Sequence, residues 1–308
     1  MKNLRGILIV IIIMLWVTSC SNTLTQTPLP GSTLQPGNTE PENLPTEIVP
    51  IPTITPTLVP AAAWVNGEPI YLSDFEEDFQ RYLASQPTSE EETDGEIGRA
   101  VVLENMIDIL LLAQAAREAG FVLDEVLYEQ RFSALVEKTG GQEIFNTWLK
   151  ENQYSAESFA RVYRLDIESS WMRDRILAEV PTSMEQIRAR QIMVQGKTLA
   201  EEIHSRLVNG ADFATLAWGY DPLTGGELGW FPRNYLVLVE VENAVFELQP
   251  GEFTEILETD YGYQIVQVME REPNRPLTQD ALFAQQRLAL AQWMESRKTQ
   301  SEIRLELN

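Results

Sequence analysis

Few residues in this chain are of types that do bond-making chemistry. It holds one histidine, His204, and one cysteine, Cys20, and such a pair cannot assemble a metal site. Nothing in it reads as a phosphate-cradling glycine loop or a serine nucleophile elbow. The segment that offers chemistry of another kind is Gly225-Gly226-Glu227-Leu228-Gly229-Trp230-Phe231. Its three glycines supply positive φ or room for close approach, and Leu228, Trp230 and Phe231 supply large apolar surface. A turn of this make-up can wall a pocket for an apolar group, and the same residues would serve as plain punctuation before a strand. His204 lies on a predicted helix away from the turn and reads as a solvated helix residue.

Such a turn needs elements to hold it. Upstream, residues 187–194 read as a strand, residues 199–208 as a helix ending at Asn209-Gly210, and residues 211–217 as a second, short helix. Downstream come a helix over 239–246, a Pro250-Gly251 turn, and strands near 253–258 and 264–269. Together they make a compact α+β unit.

That unit sits within helical sequence. Trp64-Val65-Asn66-Gly67-Glu68-Pro69-Ile70 predicts a tight hairpin through its Asn-Gly pair. Ser73 and Glu76 form a capping box for a helix carrying Phe75, Phe79, Tyr82 and Leu83 on one face. Further helices are predicted over 96–119, stopping before Gly120, and over 124–138, 142–150 and 156–178, with Pro181 ending the last. After a helix over 278–298 the chain reads Glu302-Ile303-Arg304-Leu305-Glu306-Leu307, the alternation of a half-buried strand. This strand and the one near Trp64 each lack a partner, so they are predicted to pair. A single helical body would then carry the α+β unit as an insertion.

The beginning of the sequence concerns location. Lys2 and Arg5 precede an apolar run from Ile7 to Val17, too short to cross a bilayer comfortably and suited to the core of a secretory signal. Val17-Thr18-Ser19-Cys20 follows and resembles the lipobox of bacterial lipoproteins, in which the cysteine is acylated and becomes the new N-terminus. An ordinary secretory signal with an incidental cysteine, or an uncleaved anchor, is the alternative. Multiple acyl chains would hold a protein stably on a membrane. Residues 21–60 are dominated by Pro, Thr, Gly, Asn and Leu, with no Lys or Arg, and read as an extended tether reaching on the order of 100 Å at about 3.1 Å per residue. The net charge of −23 excludes nucleic acid as a partner, because phosphate binding needs clustered Lys and Arg. The acidity either attracts cationic unfolded clients or only keeps the protein soluble.

The α+β unit resembles a parvulin-type peptidyl-prolyl cis/trans isomerase domain. Arg190-Gln191-Ile192-Met193-Val194 stands where that family has its first strand, and residues 210–217 match its Gly-x-Asp-Phe-x-x-Leu-Ala helix. Residues 225–231, 244–251 and 259–266 follow in the family's order. The helical remainder is similar to the chaperone body of PrsA-like foldase lipoproteins and SurA-like chaperones. The resemblance implies an α+β fold, a helical SurA/PrsA-like body with an inserted parvulin-like domain. It divides the chain into a signal peptide (1–19), a tether (20–62), a helical chaperone domain (63–180), the parvulin-like domain (181–273) and a closing helix and strand (274–308).

What the resemblance implies chemically is catalysis of Xaa-Pro rotation without a cofactor or a metal, on unfolded or newly exported polypeptides, outside the cytoplasm and at a membrane held through lipid on Cys20. The rotation barrier is about 18–20 kcal/mol for an ordinary peptide bond, and the twisted state is less polar than the planar one, so an apolar socket that desolvates the imide favours it. The socket positions fall on Leu228, Val237 and Val241, the last replacing a usual aromatic, with Thr259 and Tyr261 at the rim. Two family histidines correspond here to Gln191 and Gln264. Two glutamines can bond each other, but neither titrates as imidazole does. A shortened loop leaves Asp221 as the nearest acid. A chaperone with a weakly catalytic or non-catalytic parvulin domain is the alternative.

Overall fold

The computed structural model describes residues 60–86 and 95–307; the segment read as a signal peptide, Cys20 and all but the end of the stretch read as a tether lie outside them. Strands β1 (Ala61–Val65) and β2 (Glu68–Tyr71) flank Asn66 and Gly67, whose φ values are 51° and 81°. Two positive values in a two-residue loop make the turn whose twist matches a hairpin. β1 begins at Ala61, inside the stretch read as tether.

Helix α1 (Leu72–Ser85) follows without a gap, and the expected capping box does not form. Tyr71 stands at the N-cap because the hairpin runs straight into the helix, and the Leu72 N–H donates to the Pro60 carbonyl at 2.9 Å. Glu76 instead meets Arg99 at 2.5 Å, while buried Asp74 pairs with Arg161 at 2.5 Å.

Helix α2 (Gly95–Glu118) carries the longest buried run, from Leu110 to Ala116. It stops at Gly120, φ +89°, where the N–H groups of Gly120 and Phe121 return to the carbonyls of Arg117 and Ala116. That is the left-handed glycine closure predicted for this site. Helices α3 (Glu125–Lys138) and α4 (Gln142–Glu151) and the start of α5 (Ala156–Ala178) close on an aromatic cluster of Phe132, Phe145, Trp148 and Phe159.

The inserted unit is built on β3 (Ser183–Val194) and β6 (Gly262–Pro276), flanked by β4 (Glu227–Pro232) and β5 (Leu257–Thr259) in the order β4-β3-β6-β5, with every neighbour antiparallel. Helices α6 (Lys197–Val208) and α7 (Phe213–Tyr220) cover one face, and α8 (Val239–Phe246) covers the other. The strand expected over 253–258 is reduced to β5 and a single bridge, Phe253 to Gln267. The Thr254 N–H still donates to the Val266 carbonyl at 2.9 Å, but the Val266 N–H goes to the Thr254 hydroxyl at 3.1 Å, so a side chain takes over one half of the pairing.

Helix α9 (Gln279–Thr299) returns to the helical body and leads to β7 (Ile303–Leu305), which pairs with β1 as the alternation predicted. Asn66 ties this closure. Its N–H donates to the Glu302 carbonyl at 2.8 Å, its Oδ1 accepts the Glu302 N–H at 2.9 Å, and its Nδ2 donates to Gln114 Oε1 at 2.8 Å. Asn66→Ala should therefore cost about 2–3 kcal/mol, the sum of lost side-chain hydrogen bonds and of an unfavourable positive φ. Asn66→Gly, which tolerates that φ, should cost less; equal denaturation midpoints for Asn66→Ala and the parent would refute the role of this knot.

Candidate functional site

The alternation of β3 and β6 decides which residues share a surface. Ile192, Val194 and Ile265 turn toward α6 and α7. Ala189, Val266 and Val268 turn toward α8, and by the same parity Gln191, Met193 and Gln264 lie on the α8 side. Helix α8 covers only part of that face. Beyond it the cross-strand row Leu257, Gln264, Met193 is left, with Gln191 one step diagonal because its own partner is Val266.

This register separates the two glutamines. Gln264 is buried, and its Nε2 points to Thr259 Oγ1 at 3.5 Å and Met193 Sδ at 3.7 Å, not to Gln191. The bond that two glutamines could make with each other is thus not formed, since diagonal neighbours on a sheet stand farther apart than opposed ones. Gln191 is fixed through its backbone, its N–H donating to the Gly226 carbonyl at 2.8 Å.

The glycine turn presses close to that strand. Gly226 has φ +69°, and a Cβ placed on it would lie 1.9 Å from the Gln191 carbonyl oxygen. Gly225, at φ +64°, lies under the Trp218 ring. Asp221 organises both: its carboxylate accepts the N–H groups of Leu223, Thr224 and Gly226 at 3.1, 3.1 and 3.2 Å, and also the Thr224 hydroxyl. The Thr224 hydroxyl first, and then its N–H, hold the Asp221 carboxyl below the usual range. A depressed folded pKa gives order above the unfolded value that is lost as pH falls through the folded one. Asp221 thus holds the turn in shape.

At β4, Ala189 opposes Gly229 while Arg190 opposes Glu227, so Leu228 is the extra residue of a bulge. The bulge re-aims Leu228 onto the α8 cluster beside Phe231. Trp230 falls on the other face, where the Arg275 guanidinium lies 4.1 Å from its ring centroid.

The three socket positions do not line one open cleft. Leu228 is half-buried, Val241 is 2% exposed within the core, and Val237 is 88% exposed. Helix α8 turns Val241 and Val245 down onto the sheet, and in the preceding loop Leu236 and Leu238 take the inward places, leaving Val237 outside. Thr259 sits within reach of Gln264, donating from Oγ1 to the Gly262 carbonyl at 2.9 Å, and exposed Tyr261 occupies the two-residue turn between β5 and β6. His204 lies across the sheet, its side chain only 17% exposed, 3.2 Å from Glu255 and edge-on to Phe253. It packs against the chain where the sequence suggested solvation.

The sequence reading missed Glu242. It is buried on α8 and accepts the backbone N–H groups of Asn234, Tyr235 and Leu236 at 2.6, 2.9 and 3.0 Å. A glutamate two places from Glu240 in a short helix reads as solvated, and only the loop folding back over it shows otherwise.

Residues 176–272 match the family model of the PPIC-type PPIASE domain, and residues 53–173 match that of the SurA-like N-terminal domain. The foldase protein PrsA of Caldanaerobacter subterraneus is 33% identical over 227 residues, which are 66% of this chain and 71% of that protein. The chain belongs to the PrsA-type foldase family. The chaperone SurA of Alcanivorax borkumensis is 28% identical over 68% of the foldase described here and 56% of its own length, and a Geobacillus PrsA is 41% identical over 30% and 35%. A solved PrsA structure from Bacillus cereus is 20% identical, with 78% of this chain and 86% of that one covered at a TM-score of 0.43. The two family models place a SurA-like N-terminal part before a PPIC-type domain in this chain.

The close approach at Gly226 is testable against Gly229, whose φ is +74° with nothing within 4 Å of a Cβ. Gly229→Ala should cost about 1–2 kcal/mol for the backbone conformation alone. Gly226→Ala must also displace a carbonyl and should cost about 3–4 kcal/mol. Thermal unfolding of the two variants checks the order; equal losses would refute the contact with Gln191.

Proposed function

We propose that this chain is a membrane-anchored, extracytoplasmic foldase whose PPIC-type domain isomerises Xaa-Pro bonds in unfolded, newly exported polypeptides. The observation that carries the reading is the α8-side face of the insert. Leu257, Met193 and Leu228 supply apolar surface there, Gln191 and Gln264 supply neutral amides, and the nearby carboxylate of Asp221 is committed to backbone N–H groups. A surface of that kind desolvates a prolyl imide and so favours the less polar twisted state. An amide N–H held near the prolyl nitrogen also stabilises the lone pair that localises there on twisting. No covalent step, metal or cofactor enters.

A second reading has its own support. With Val241 in the core and Val237 in solvent there is no closed ring socket, and the Gln264 amide is already turned to Thr259. This favours a chaperone whose PPIC-type domain holds proline-containing segments and isomerises them weakly. The anchor and the extracytoplasmic location rest on the apolar run, on Cys20 and on the proline-rich stretch that follows.

The readings separate on the mature chain with a short Xaa-Pro peptide and, in parallel, with an aggregating client whose folding is not limited by proline. The isomerase reading expects accelerated cis/trans exchange that falls when Gln191→His and Gln264→His are combined, whereas a degenerate site should gain activity from the same pair. Suppressed aggregation without any acceleration at high protein concentration would leave the chaperone reading alone. Cys20→Ser should move the protein from the membrane to the soluble fraction; retention at the membrane would refute the lipid anchor.

A further inference from the structure

Residues 233–238 join β4 to α8. This connection lies beyond the last pair of the β3–β4 ladder, Gln186 opposite Pro232. Side chains hold it. Glu242 accepts three consecutive N–H groups, those of Asn234, Tyr235 and Leu236. The preceding carbonyl, that of Arg233, accepts Gln285 Nε2 at 2.7 Å. Four successive backbone groups thus depend on two side chains, and the two come from different parts of the molecule.

Glu242 belongs to α8, inside the insert. Gln285, only 6% exposed, belongs to α9, which packs on α5 and carries the neighbouring Gln286, whose Nε2 donates to the Leu177 carbonyl at 3.4 Å. The same helix leads to β7 and the sheet that closes the helical body. The Arg233 side chain continues the clamp into α8, its guanidinium 4.4 Å from the Phe246 ring centroid and 3.6 Å from Glu247. What the clamped loop displays is apolar. Leu236 and Leu238 point inward, while Tyr235, Val237 and then Val239 at the start of α8 are exposed.

We infer that Gln285 is a positioning residue through which the helical body sets the conformation of the loop 233–238, and that the strip Tyr235, Val237, Val239 is the surface a proline-containing peptide meets first. Glu242 is the companion clamp from within the insert. The second half of this inference rests on the proposed isomerase reading; the first half does not.

The experiment is amide hydrogen exchange on the full mature chain, without substrate, for the parent, Gln285→Met and Glu242→Gln. Gln285→Met keeps the side chain's bulk and removes the donor. Loss of one buried hydrogen bond should speed exchange in residues 233–238 by about tenfold, with β3 and β6 unchanged. Glu242→Gln should speed the same segment at least as much. Unchanged exchange at 233–238, or equal acceleration throughout the insert, would overturn the clamp. Gln285→Asn, which withdraws the donor by one methylene, carries the test if Gln285→Met does not fold.

With an Xaa-Pro peptide, Gln285→Met should raise KM several-fold and leave kcat near the parent's. An unchanged KM in an active chain would overturn the peptide strip. Faster loop exchange in a chain that shows no isomerase activity upholds the clamp and removes the isomerase reading instead.

Discussion

The antiparallel ladder between β3 and β6 is the constraint on which the other features of the insert depend. It runs from Ser183 opposite Pro276 to Val194 opposite Tyr263. One end builds both faces of the inserted unit; the other brings together the points where the chain leaves α5 and enters α9. The helical body can therefore close on itself through β1 and β7 with the insert in place. Two irregularities in register, at Met184/Gln186 and Arg188/Ala189, bend the ladder between these tasks. Gln186 satisfies the first from within, its buried Nε2 donating to the carbonyls of Arg275 and Pro276 at 2.9 and 3.1 Å.

The same ladder explains where glycine cannot be replaced. A Cβ on Gly226 would meet the Gln191 carbonyl, and one on Gly262 would lie 2.7 Å from the Val194 carbonyl. Backbone thus approaches β3 at two points flanking Met193. The candidate surface lies between these approaches, a shallow strip between a glycine turn and a hairpin. A strip so bounded can meet an extended peptide, whose own backbone is narrow, more easily than a bulky folded surface.

Local signals in the sequence were read correctly where local physics decides. Asn66-Gly67 and Gly120 each mark an element end as read, through positive φ and, at Gly120, through bonds back to Arg117 and Ala116. The alternation of Ile303 and Leu305 gave the closing strand because one half-buried face needs a partner. The reading failed where a distant group intervened. The Ser73 box lost to a hairpin that supplies the start of α1, and the strand over 253–258 was cut short where the Thr254 hydroxyl takes the Val266 N–H. At the site, the family pattern located the turn and both glutamines, yet the register that keeps them apart is set by strands some seventy residues distant in sequence, as the 71 positions between Met193 and Gln264 illustrate. Glu242 and Gln285 were illegible for the same reason, since the loop each one holds is defined only once the fold is complete.

One device recurs at both borders of the surface. Asp221 gathers the N–H groups of a glycine turn, and Glu242 gathers those of the loop before α8, each carboxylate taking three. Backbone N–H groups left without a ladder need acceptors, and a carboxylate can satisfy several at once without requiring a cation beside it. In a chain with 46 acidic residues against 23 basic ones, this uses the commoner charge as internal scaffolding. Both borders are thus ordered by carboxylates rather than by ion pairs. The surface left between is apolar and amide-lined. Order at the borders and neutrality at the centre thus follow from a single choice of residue type.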